Sequence, residues 1–138
     1  MYSSSDTLQL VLADGSAIVR AGIKRLLADV PDIHVVEECN DAKAAIAAIA
    51  EHRPDLVMMD FRLGAGTAVD VLRECRATAL PRPISIVYTL ETDASTRAIS
   101  YASGADVFYD KSKDMAPLLT MLRKLSAALL ASEELAAT

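Results

Sequence analysis

A chain of 138 residues, 52% apolar and 24% charged, is long enough to bury one full core and too apolar to stay disordered. Its net charge of −5 argues against nucleic-acid binding by this chain alone, and no apolar run approaches the ~20 residues of a membrane span. The two cysteines, Cys39 and Cys75, lack C-x-x-C spacing and are too few for a four-thiolate zinc site, so they read as buried, reduced thiols in a cytoplasmic protein.

Residues 1–7 hold neither a basic nor an apolar leader region and read as a short flexible tail. The first strand is expected at 8–13, where Leu10-Val11-Leu12-Ala13 runs into Asp14. A helix starts near Ser16, with Ile18, Val19, Ile23, Leu26 and Leu27 on one apolar face, and Pro31-Asp32 breaks it. The second strand is expected at 33–38, after which Asp41 caps the alanine-rich helix Lys43–His52. The third strand, 56–59, stops at Asp60, and 63–66 is a loop. The next helix carries Val69, Val71, Leu72 and Cys75, and Pro81-Arg82-Pro83 closes that crossover. A fourth strand at 84–88 runs into Thr89, and a helix from Asp93 to Ser103 is stopped by Gly104. The fifth strand, 106–109, leads to Lys111, and Asp114 caps a long last helix that tolerates Pro117 in its first turn.

Strands alternating with helices imply a parallel sheet of right-handed βαβ units with helices on both faces. In such sheets ligands bind beyond the carboxyl ends of the strands. Asp14, Asp60, Thr89 and Lys111 each stand at such an end. Two carboxylates, a hydroxyl and an ammonium suit a phosphoryl group and a metal ion better than a packed core.

Four pieces in this order carry a resemblance: Val11-Leu12-Ala13-Asp14 with Val19-Arg20-Ala21-Gly22; Pro54-Asp55-Leu56-Val57-Met58-Met59-Asp60; Val87-Tyr88-Thr89; and Gly104-Ala105-Asp106-Val107-Phe108-Tyr109-Asp110-Lys111. Over about 8–126 the chain resembles the receiver domain of two-component response regulators, in the branch usually attached to a helix-turn-helix output. The resemblance implies a flavodoxin-like, doubly wound α/β fold whose five parallel strands run 2-1-3-4-5, placing Asp14 beside Asp60. It also implies that Asp60 is the phosphoacceptor and that Asp14, Asp60 and the main-chain oxygen of Arg62 hold Mg2+. Lys111 would pair with the phosphoryl group, or with Asp60 before modification. Thr89 would bond a phosphoryl oxygen and carry the signal. Phe108 occupies the switch-aromatic position, with a core aromatic as the equal alternative, and Tyr101 and Tyr109 flank the same region. Arg62 and Glu91 stand where the family tunes acyl-phosphate lifetime, and their opposite charges are expected to pair at the pocket mouth.

Three positions depart from the family. Gly15 replaces the second acid of the metal-binding pair, lowering the expected Mg2+ affinity. Gly64 stands where Pro is usual, loosening the loop, and Leu90 replaces a small residue beside the pocket. The leading expectation is a non-enzymatic phosphorelay receiver. It takes phosphate from a sensor histidine kinase, a phosphotransfer protein or a small phosphodonor and switches a surface of helix four, strand five and helix five. The alternative is a phosphorylation-independent pseudo-receiver that serves as an interaction module. A dehalogenase-type phosphatase would need a second Asp where Arg62 stands, and an electron carrier would need a better phosphate loop than Asp14-Gly15-Ser16. Met115, Leu118, Leu122, Leu125 and Leu129 recur at spacings of three and four. The first four are expected on the sheet. Residues 127–138, with Leu129, Leu130 and Leu135, read as a helix extension or linker through which the chain self-associates as a homodimer.

Overall fold

The structure, a computed structural model, describes residues 7–78 and 81–137, with side chains as far as Ser132. The expected tail lies outside the described residues apart from Thr7, as does the Leu135 side chain. In chain order the elements are β1 (Leu8–Ala13), α1 (Ala17–Leu27), β2 (Ile33–Cys39), α2 (Ala42–His52), β3 (Leu56–Met59), β4 (Arg62–Leu63) and β5 (Gly66–Thr67). They continue with α3 (Ala68–Thr78), β6 (Ile84–Thr89), α4 (Ala94–Ser103), β7 (Val107–Asp110) and α5 (Met115–Ala137). The main sheet is parallel, in the order β2-β1-β3-β6-β7. With β4 and β5 set apart as a small hairpin, that is the expected 2-1-3-4-5 flavodoxin-like arrangement.

Side-chain alternation along the central strands builds two cores. Leu10, Leu12, Leu56, Met58 and Ile86 face one way, onto α1 and α5 through Ile23, Leu27, Leu118 and Leu122. Val11, Ala13, Val57, Met59 and Val87 face the other, onto α2 and α3 through Ala45, Ile49, Val71 and Leu72. The apolar runs are continuous because both faces of these strands are covered.

Met115 is 46% exposed rather than packed on the sheet, because it stands at the start of α5 ahead of the buried Leu118, and four further local features differ from the sequence reading. Ile18 is 84% exposed rather than on the inner face: the helix starts at Ala17 and seats Val19, Ile23 and Leu27, which leaves Ile18 about 100° round the axis. The 63–66 loop is the tip of the β4–β5 hairpin, with Gly64 in the left-handed region at φ +66. A Cβ on Gly64 would stand 2.8 Å from the Asp41 Cβ, so this glycine fits a close approach that proline, fixed near φ −65°, has no access to. Asp114 does not cap α5 with its side chain; its carboxylate accepts the Asp110 N–H at 2.8 Å. Pro117, the third residue of the helix, has no N–H for the cap to take. Finally, β2 carries a bulge: Val35 pairs with Leu10 and Glu37 with Val11, leaving Val36 unpaired between them.

The other caps follow the sequence reading. Ser16, Asp41 and Asp93 accept the N–H of Val19, Ala44 and Thr96 respectively. Gly104 ends α4 at φ +123. Helix α5 runs unbroken across position 126, with Leu118 and Leu122 fully buried and Leu125, Leu129 and Leu130 partly buried against the same core. Among the described residues, no helix is long and apolar enough to cross a membrane.

Candidate functional site

At the carboxyl ends of β1 and β3 the pairing runs one rung past the strands. The Asp60 N–H donates to the Ala13 carbonyl at 3.0 Å, and the Asp14 N–H donates to the Cys39 carbonyl at 2.9 Å. Both aspartates are thereby fixed by backbone before their side chains make any contact. The Asp14 carboxylate uses Oδ1 to accept the Ser16 N–H at 2.9 Å, and Asp60 Oδ1 accepts the Phe61 N–H at 2.7 Å. Each carboxylate is left with Oδ2 free to turn to a cation.

That cation is Lys111. Its Nζ lies 2.5 Å from Asp14 Oδ2 and 3.2 Å from Asp60 Oδ2, with only 13% of the lysine side chain and 4% of the Asp14 side chain exposed. Three residues from three strand ends therefore meet around one small space. Lys111 reaches it because β7 leads straight into it and its N–H donates to the Thr89 carbonyl at 2.9 Å. Burial of this kind persists only where charges are paired and hydrogen-bonded.

Thr89 sits on the adjacent strand end and is wholly buried. Its Oγ1 accepts the Glu91 N–H at 3.1 Å, so the hydroxyl is engaged by its own loop rather than by Asp60 or Lys111. Phe108 lies in the core under the Arg97 guanidinium, 4.5 Å from its centroid, and 6.4 Å from the Tyr101 ring. Tyr101 is 45% exposed, and Tyr109 is half-buried. Arg62 and Glu91 pair as expected, Nε to the two carboxylate oxygens at 3.2 and 3.0 Å, in a largely solvated position worth about 0–1 kcal/mol. Leu90 projects into solvent, 68% exposed.

The sequence reading missed two arginines. Arg20 donates through its guanidinium to the Asp14 main-chain oxygen and, through Nε, to Glu38 at 3.0 Å, bracing the residue that meets Lys111. Its sequence signal is a basic residue about one turn into the helix after Asp14, within the Val19-Arg20-Ala21-Gly22 piece. Arg97 over Phe108 leaves no motif at all.

Two carboxylates that already converge on one cation supply hard oxygens of the kind that Mg2+ takes, so the residues present fit that ion. Gly15 contributes no donor, yet space does not exclude one: a Cβ there would meet nothing nearer than the Asn40 oxygen at 3.8 Å.

The profile of the response regulator receiver domain matches residues 10–123. The nitrate/nitrite response regulator protein NarL of Escherichia coli K12 is 25% identical over 125 residues, 91% of this chain and 57% of NarL. A protein-glutamate methylesterase/protein-glutamine glutaminase from a Nocardioides species is 28% identical over 124 residues, 89% of this chain and 34% of that protein. The chain thus spans less than two thirds of either curated relative. Among solved structures, a LuxR-family two-component response regulator from Aurantimonas sp. SI85-9A1 aligns with TM-score 0.80 and 26% identity, covering 94% of this chain and 99% of that one.

Proposed function

The chain belongs to the response regulator receiver domain family, and from that premise we propose that it accepts a phosphoryl group on Asp60. The donor is a sensor histidine kinase, a phosphotransfer protein or a small phosphodonor in the cytoplasm. The observation that carries this reading is the Lys111 ammonium between Asp14 and Asp60, a positive charge poised where phosphoryl oxygens would collect.

Asp60 Oδ1 is held by the Phe61 amide, which leaves Oδ2 as the attacking oxygen. A bond forms from that oxygen to phosphorus as the donor's bond to phosphorus breaks, the leaving group departing with its electron pair. Lys111 then exchanges a carboxylate contact for a phosphoryl one, a charge-assisted bond. Asp14, Asp60 and the Arg62 main-chain oxygen would hold Mg2+, which when bound offsets charge on the transferring group. Because Gly15 adds no ligand, we assign this ion a weak site before modification.

Modification replaces the single carboxylate charge with a phosphoryl group that carries about −1.5 to −2. Thr89 Oγ1, released from the Glu91 N–H, bonds a phosphoryl oxygen, and the shift passes to the face formed by α4, β7 and α5. Phe108 is buried and lies under the Arg97 guanidinium at 4.5 Å, and we assign this ring and its cation stack to the switching face. The chain is a signalling module rather than an enzyme.

Acetyl phosphate with MgCl2, followed by intact mass, tests the reading. One added phosphoryl group, lost in Asp60→Ala, supports it. No gain under saturating donor favours the second reading, a phosphorylation-independent interaction module. Gly15 motivates that alternative, as does the balance already struck between Lys111 and the two aspartates.

A further inference from the structure

The bulge at Val36 has a consequence on the outer strand of the sheet. In a regular ladder Glu37 would pair with Leu12 and face α1. The extra residue instead pairs it with Val11, turning its carboxylate toward α2, and bulges serve to re-aim side chains in this way. There it meets His52, the last residue of α2, at 2.7 Å from Glu37 Oε1 to Nε2. Glu51 completes a group of three whose donor atoms all lie within 4.8 Å of one another.

The neighbouring Glu38 has the opposite surroundings: it faces α1 and is held by Arg20 and Lys24 at 3.0 and 2.6 Å. Among the described residues, no lysine or arginine forms an ion pair with Glu37 or Glu51. An imidazole nitrogen and two carboxylates, with no lysine or arginine paired to them among the described residues, converge at a helix carboxyl terminus, where the backbone dipole also favours positive charge. Imidazole nitrogen beside carboxylate oxygen is the donor set of zinc and its transition-metal neighbours, while Mg2+ takes oxygen alone. We propose that Glu37, Glu51 and His52 form a second metal site, for Zn2+ or a similar transition-metal ion, that fastens the outer strand β2 to the end of α2. Three protein ligands leave a fourth position for water. The site shares no residue with Asp14, Asp60 or Lys111 and does not depend on phosphorylation.

The full chain, held in excess MgCl2 to occupy the carboxylates at the strand ends, is titrated with ZnCl2 by calorimetry. In parallel, NMR follows the imidazole signals of His34 and His52. The expected result is one bound equivalent that moves the His52 ring signals and leaves those of His34, exposed on β2, in place. His52→Gln and Glu37→Gln should each weaken binding by about tenfold or more, and Asp14→Asn should not. Zinc that leaves the His52 signals unmoved, or that binds the Glu37→Gln/His52→Gln double variant as tightly as the wild type, overturns the proposal. The wild-type spectrum decides the matter even if a variant misfolds.

Discussion

Position 15 sets the charge balance of the site. Asp14 and Asp60 carry two negative charges and Lys111 returns one, so the three together stand at −1. A Cβ at 15 meets nothing nearer than 3.8 Å, but an aspartate there would set a like charge beside a buried carboxylate. Gly15→Asp should therefore lower stability by about 1 kcal/mol without divalent ions and recover it in millimolar MgCl2. Thermal melts with and without MgCl2 read both halves, and a variant as stable as the parent in metal-free buffer would refute the charge argument. At Cys39, burial pushes the thiol up to about 11, with Glu37 and Asp41 adding to the effect. Neither it nor the buried Cys75 has the lowered pKa of a reactive thiol.

Among the elements, α4 is unlike the rest. Its buried residues are Thr96, Ser100 and Ser103, while Ile99 and Tyr101 face outward. Ser100 Oγ donates to the Thr96 carbonyl at 2.8 Å, and Ser103 Oγ is buried without a partner. Without large apolar anchors this helix relies on its ends. Ser95, Thr96 and the Thr96 N–H all donate to Asp93, holding its carboxyl down at about 2, below the ordinary 3.8. A folded-state pKa below the unfolded one stabilises above about pH 4 and loses that contribution as pH falls toward 2. Amide exchange in α4 should therefore accelerate over that interval before exchange in β3 does. Asp93→Asn, whose cap does not titrate, should flatten the dependence, and equal acceleration in both proteins would count against the cap. The strand ends were legible in the sequence because apolar runs buried on both faces stop abruptly, and the meeting of Asp14, Asp60 and Lys111 follows from that. The inner face of α4 was not, since hydroxyls at helical spacing look like a solvated face. Nor was the Val36 bulge, which no residue type announces. The Ile18 placement failed because Ile18 neighbours Val19 in sequence and so lies about 100° away from the Val19, Ile23 and Leu27 stripe, and Gly64 was misjudged because its requirement comes from Asp41, far away in sequence.

At the level of the whole molecule, α5 serves two regions. Its first turns seat Leu118 and Leu122 in the core. Farther on, Ser126 is buried with Oγ 3.4 Å from Asp32 Oδ2, and Leu129 and Leu130 are partly covered by the chain's own core. Their remaining surface continues along one uninterrupted helix, the region through which self-association is expected. Deleting residues 127–138 should leave the fold intact, because the fully buried leucines precede the cut. It should also halve the sedimentation mass of a dimer, and an unchanged mass would remove this helix from the interface. The two sides of the sheet also answer a push differently. On the α5 side, leucine knobs must climb out of their holes before anything slides. On the α4 side, the buried groups are hydroxyls, one bonded within the helix and one without a partner. Leucines hold one flank of the protein and hydroxyls the other, so the two flanks resist displacement by different means.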